Sequence, residues 1–125
     1  MPRYVLFARV LVGLAFTVFG ANHFVEILPE PDGTAEGRAF SEALADTGYM
    51  WELVKGTELV GGLLVLSGIW VPLGLLLLAP VVVNILAFNL ALDPEGLPIG
   101  GALAALVLLL AWGYRESFRP LFRVG

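Results

Sequence analysis

The chain contains no cysteine. That absence removes disulfide frameworks, thiolate metal sites, CxxC redox pairs and haem attached through thioethers, so the protein carries no thiol redox chemistry of its own. Histidine occurs once, at His23, and one imidazole without a second ligand at metal-binding spacing is poor support for a metal site, so none is expected. Charge is scarce as well. Only 14% of the 125 residues are charged, against roughly 25% in soluble domains, and most of the acid behind the net charge of −4 lies in connecting segments. Nucleic acid is therefore not an expected partner.

What fills the chain instead is apolar sequence: 58% of residues are hydrophobic, gathered in long runs. This is the composition of an integral membrane protein, and residues 1–125 read as one transmembrane domain. Arg3 and Arg9 followed by an apolar run resemble a signal peptide, but the run continues past Ala21 through Phe24 and Val25 without a small-x-small cleavage site. The first helix is expected to be retained.

The punctuation predicts an all-α, four-transmembrane-helix bundle with spans at about 4–28, 49–69, 73–92 and 98–117. Pro29 and Pro31 stop the first span, because proline cannot extend the hydrogen-bond ladder. After a Pro-Asp-Gly turn, Phe40, Ala43 and Leu44 recur at helical spacing between acidic residues. That pattern predicts a short amphipathic helix on the membrane surface in the first extracytoplasmic loop, with a plain solvated loop as the alternative. Gly68, Pro72 and Gly74 divide the charge-free run from Leu59 to Leu92 into two antiparallel spans, the second expected to kink at Pro80. Five of the seven basic residues are arginines near the termini, so both termini are expected in the cytoplasm of a multi-pass protein of the cell (inner) membrane. Tyr4, Trp70, Trp112 and Tyr114 then fall near the cytoplasmic interface, and Tyr49 and Trp51 near the outer one.

Counting residues forces charge into the bilayer. A span needs about 20 residues, so the second helix must begin near Tyr49, which puts Glu52 at the interface and carries Lys55 and Glu58 about 9 to 14 Å inward at 1.5 Å per residue. On the first helix Asn22, His23 and Glu26 reach a similar depth on one face. On the third, Asn84 lies about 12 Å and Asn89 about 5 Å from the helix end. An unpaired charge in hydrocarbon costs at least about 2.5 kcal/mol, so these groups should converge. Lys55 with Glu58 or Glu52 is the nearest ion pair, with His23 and Glu26 as partners across the bundle. Asn22, His23, Glu26, Glu52, Lys55, Glu58 and Asn84 are thus candidates for binding a small ligand or handling its protons. The alternative is an ion-pair and amide network that only pins helices together. Gly13, Thr17 and Ala21, Gly61 and Gly62, and Gly101 with Ala105 are read as close-packing faces.

Two segments carry a family resemblance: Thr17–Phe24, Thr-Val-Phe-Gly-Ala-Asn-His-Phe, and Lys55–Gly62, Lys-Gly-Thr-Glu-Leu-Val-Gly-Gly. With the four predicted helices and the long first loop they make the chain similar to the DoxX-like membrane proteins, the helix-two segment being the more specific. The resemblance implies that Glu58 is the family's helix-two glutamate and that Asn22 to Phe24 form its polar end of helix one. It also implies association with oxidoreductase subunits and a quinone or other lipophilic ligand; without cysteine or a haem-ligand pair, such a ligand is handled through hydrogen bonds and protons, and no intrinsic cofactor is expected. Three readings stand beside one another: a quinone- or lipid-binding subunit of a membrane oxidoreductase, a noncatalytic assembly or scaffold protein that includes homo-oligomers, and an acid–base enzyme acting on a lipid.

Overall fold

Helix ends are set by threonine, glycine and asparagine as much as by the prolines. In the computed structural model, which describes residues 2–30 and 33–125, helix α1 covers Arg3–Phe24, α2 Ala35–Asp46, α3 Met50–Ser67 and α4 Val71–Ala91. A 3₁₀ turn at Pro94–Gly96 leads into α5, Leu97–Gly113, and a short α6, Arg115–Phe118, ends in a 3₁₀ turn at Arg119–Phe122. No strand occurs among the described residues.

The first helix is shorter than its apolar run predicts. It ends at Phe24, not near residue 28, because the Asn22 side-chain oxygen accepts hydrogen bonds from the backbone N–H groups of Ile27 and Leu28, both at 2.7 Å. Asparagine here offers the backbone a local alternative to the helical ladder; Val25 is extended and the chain folds back. The Pro31-Asp32 part of the turn expected next lies outside the described residues. Helix α2 stands where a short amphipathic helix is predicted. Its N-cap Thr34 accepts from the Gly37 N–H at 3.0 Å and donates to the Leu92 carbonyl, tying α2 to the end of α4. Thr47 closes α2 and leads into α3, its hydroxyl donating to the Leu44 carbonyl at 2.6 Å and accepting from the Met50 N–H at 3.0 Å. Helix α4 continues through Pro80 without a break. Helix α5 stops at Gly113, where Tyr114 leaves helical geometry, so the expected span to residue 117 divides into α5 and α6.

The tight turn between α3 and α4 depends on Gly68, whose φ of 79° is open to glycine without cost, and on Trp70, which holds a positive φ of 55°. Four helices pack in a cycle, α1 on α3, α3 on α4, α4 on α5 and α5 back on α1. The first of these contacts is backbone against backbone. A Cβ on Gly13 would meet Leu66 at 2.6 Å, one on Gly62 would meet the Thr17 nitrogen at 2.5 Å, and one on Gly20 would meet the Leu59 nitrogen at 2.6 Å. These pairs run in opposite directions along the two chains, so α1 and α3 are antiparallel. Gly61 likewise lies against Leu78 and the Gly74 carbonyl of α4. On α5 the expected small-residue face is displaced by one residue. Gly101 faces open space and Ala105 is exposed, whereas Gly100 and Ala104 are buried and Gly100 receives the Asn89 side chain. One residue is a rotation of about 100° on a helix, and the bulk of Asn89 selects the glycine that can accept it.

Val12, Phe16, Val65, Leu78 and Leu110 are fully buried, while Phe7, Val83, Ile99 and Leu108 point outward with about two thirds of their surface exposed. A soluble domain would not present such a surface on every side. Among the described residues, three helical stretches are long and apolar enough to cross a membrane: Arg3–Phe24, Val71–Ala91 and Pro94–Gly113. Helix α3 differs because it carries Glu52, Lys55 and Glu58.

The glycine contacts make a direct prediction. Gly62→Ala should lower unfolding stability in detergent by about 1–3 kcal/mol, since α1 and α3 must separate to admit the methyl group. Gly101→Ala, facing open space, should be neutral or slightly stabilising through helix propensity. Equal unfolding midpoints for the two variants would show that α1 and α3 are not in backbone contact.

Candidate functional site

The contact at Gly20 fixes the turn of α3 that carries the charges, because a Cβ there would also meet the Lys55 carbonyl at 2.8 Å. From this turn the Lys55 ammonium reaches Oε2 of Glu58 at 3.0 Å, one turn along the same helix. Glu58 is only 3% exposed. The contact is a charge-assisted pairing that engages Oε2, and a carboxylate has further acceptor positions, so Glu58 retains capacity to accept another hydrogen bond. A buried carboxylate is tolerable only with its counter-ion close by.

Trp51 lies four residues before Lys55 and organises the groups around it. Its indole N–H donates to the Ser41 carbonyl of α2 at 2.9 Å. Its ring stacks on His23 with centroids 6.3 Å apart, and the Lys55 ammonium sits 5.3 Å from its centroid. His23 in turn approaches Glu52, Nε2 to Oε1, at 3.7 Å, with more than half of the Glu52 side chain exposed. At that distance and exposure the pair adds little stability, but it places an imidazole and a carboxylate side by side.

Two cavities meet at this cluster. A rim cavity of about 420 Å³ lies at the end of α1, against Asn22, His23, Glu30, Trp51 and Lys55. An interhelical cavity of about 540 Å³ lies between α3 and α4 beneath α2; Lys55, Glu58, Asn84 and Asn89 supply its polar lining, and Phe40, Leu44, Val54, Ile85 and Phe88 much of its apolar lining. Phe19, Ser41, Trp51 and Lys55 line both. Phe40 of α2 and Phe88 of α4 touch across the second cavity, with ring centroids 5.4 Å apart. The residues that α2 turns toward this cavity are Phe40, Ser41 and Leu44, while Ala43 is exposed.

The candidate residues thus separate into groups. Lys55, Glu58 and Asn84 share the interhelical cavity; His23 and Glu52 pair at the rim; Asn22 lines the rim but spends its side-chain oxygen on the chain reversal. Glu26 does not join them. Helix α1 ends before it, and it is exposed, lines neither cavity and makes no ion pair among the described residues. Trp51, expected as an interface aromatic, is a wall between the cavities. Asn89 is 5% exposed and completes the interhelical lining with Asn84; its position with Asn84 in the same half of the helix was the available signal. Nothing in the sequence singles out Phe19 or Ser41. Among the described residues no group of three or more His, Asp and Glu could hold a metal ion.

The model of the DoxX family matches residues 4–90. Over 123 residues the chain is 31% identical to the uncharacterized protein YwoB of Bacillus subtilis (strain 168), covering 96% of this chain and 78% of that protein. No solved structure matches the chain.

Removing one member of the buried pair should cost more than removing both. Lys55→Met is expected to destabilise by about 3–5 kcal/mol because it strands the Glu58 carboxylate, and adding Glu58→Gln should recover most of that loss. Unfolding of the two variants in detergent measures the difference, and additive losses would refute the pairing. Trp51→Phe keeps the ring but deletes the bond to Ser41, so amide hydrogen exchange in α2 should accelerate while α1 and α4 remain unchanged.

Proposed function

The chain belongs to the DoxX family of membrane proteins, and on that premise we propose that it binds a lipophilic molecule by its polar head in the interhelical cavity. The observation that carries this reading is the form of that cavity: a mainly apolar lining with one buried carboxylate–ammonium pair and two amides. Such a space rewards a ligand whose body displaces water from Phe40, Leu44 and Phe88 while its head exchanges hydrogen bonds with Glu58, Lys55 and Asn84. Pro80 and Asn84 are exposed, so the cavity is open and not sealed, and a ligand dissolved in the membrane can enter it. A quinone, the ligand class implied by the family resemblance, has this form, and the protein would then serve as a quinone- or lipid-binding subunit beside an oxidoreductase.

The same reading takes α3 as a fourth span. Its 18 residues extend about 27 Å at 1.5 Å per residue, and its contacts with α1 run from Gly20 to Gly13, which supports a helix that crosses beside α1. The charges on α3 are accommodated because Glu58 and Lys55 face the cavity and each other. With the terminal arginines inside the cell membrane's cytoplasmic face, α2 and the rim cavity lie on the outer side.

A second reading, a noncatalytic assembly protein, draws on Gly101 and Ala105. Ala105 is exposed and a Cβ on Gly101 would meet nothing, so together they form a small-residue stripe on α5 that admits another helix at close range, from a second copy or another subunit.

Mass spectrometry of lipophilic molecules extracted from purified protein separates the two. Wild type should carry a quinone or other lipid enriched over bulk membrane, and Glu58→Gln of equal thermal stability should lose it. Absence of enrichment in both samples would favour assembly.

A further inference from the structure

Lys55 is the cationic side chain that lines both cavities, and the groups on either side of it differ in kind. On one side is Glu58, 3% exposed, facing the interhelical cavity. On the other is the rim, with His23 and Glu52 3.7 Å apart and partly exposed. Toward the chain termini the interior closes: Val12, Phe16, Val65 and Leu78 are completely buried, and the next charged side chain along α1 is Arg9, packed against Gly68 at the far end of α3. We infer that the two cavities form a one-sided proton route, through which Glu58 exchanges protons with the aqueous phase on the α2 side and not with the side that carries the termini.

This rests on the binding reading for its purpose: a ligand whose head gains or loses protons at Glu58 would take them from, or deliver them to, one face of the membrane. The chemistry needs no additional reactant. A proton leaving a ligand hydroxyl goes to a Glu58 carboxylate oxygen, then past Lys55 into the rim cavity, where His23 accepts it at one ring nitrogen and the neighbouring acceptors are Glu30 of the lining and Glu52 beside His23. In the reverse direction each transfer runs backward with the same balance. The groups facing Glu58 keep the route one-dimensional. Helix α3 supplies Lys55, α4 contributes the neutral amides of Asn84 and Asn89, α2 contributes Phe40, Ser41 and Leu44, and α1 contributes Phe19 to the shared wall. Lys55 is a positioning residue here: it holds the carboxylate at the junction, and its contacts with Trp51 on one side and Glu58 on the other place it where the cavities join.

The native chain in proteoliposomes tests this without any ligand. Dicyclohexylcarbodiimide crosses membranes and reacts with protonated carboxyl groups, so its rate of addition to Glu58, read by peptide mass spectrometry, reports the proton supply to that residue. Orientation is assigned by trypsin cleavage at Arg123, and Glu58→Gln identifies the labelled peptide. With a pH difference imposed across the membrane, labelling should follow the pH on the α2 side, by up to roughly tenfold per pH unit while the carboxylate form dominates, and ignore the pH on the terminal side. Labelling that follows the terminal side, follows both sides equally, is insensitive to both, or never occurs would overturn the route. A sided response without an enriched lipophile in the extracts would retain the route and sink the binding reading; enrichment without a sided response would do the reverse.

Discussion

Gly20, Gly62 and Gly13 bring the backbones of α1 and α3 into contact, and the placement of the polar groups follows from that approach. Helices at ordinary separation, about 8–10 Å between axes, keep side chains between them. Here the side chain is absent on one partner at each crossing point, and the peptide units of Lys55 and Leu59 rest directly on Gly20. The turn that carries Lys55 and Glu58 is therefore held by rigid backbone and not by the charged side chains themselves. In a membrane, where burying apolar surface gives no driving force between helices, close van der Waals packing of small residues supplies association. The geometry of the charge pair is a consequence of that packing.

A second consequence concerns what the pair can do. Hydrogen bonds that fully satisfied Glu58 would make it a closed structural strut. Its contact with Lys55 is a charge pairing that leaves acceptor capacity on the carboxylate, and it faces an open cavity instead of solid core. Helix α2 matters for the same reason. It is anchored at its start by Thr34 to the Leu92 carbonyl and in its middle by the bond from Trp51 to the Ser41 carbonyl, and its Phe40 and Leu44 roof the cavity. Helix α2 thereby turns apolar residues toward the cavity between α3 and α4.

Trp51 joins these parts. One indole makes a hydrogen bond to α2, a stack with His23 of α1 and a cation–π contact with Lys55 of its own helix. Each contact is individually worth about 1 kcal/mol, but together they fix where the rim cavity stops and the interhelical cavity begins.

Much of this was legible in the residues. The apolar runs and their Pro and Gly breaks located the long helices to within a few positions, because backbone hydrogen bonding and the 3.6-residue period act locally. The count that forced Lys55 and Glu58 inward rested only on rise per residue and span length, and the i,i+3 spacing already paired them. Other features depended on contacts distant in sequence. Asn22 ended α1 early and removed Glu26 from the cluster; the Asn89 side chain chose Gly100 over Gly101 as the packing face; Trp51 became a wall because Ser41 and His23 lie beside it in space. The sequence by itself determined which polar groups the helices carry, Lys55 and Glu58 one turn apart among them, since that follows from helix length and the 3.6-residue period. Only the tertiary structure decided which of them share a cavity, because rotation about a helix axis is set by the neighbour it packs against and not by its own periodicity.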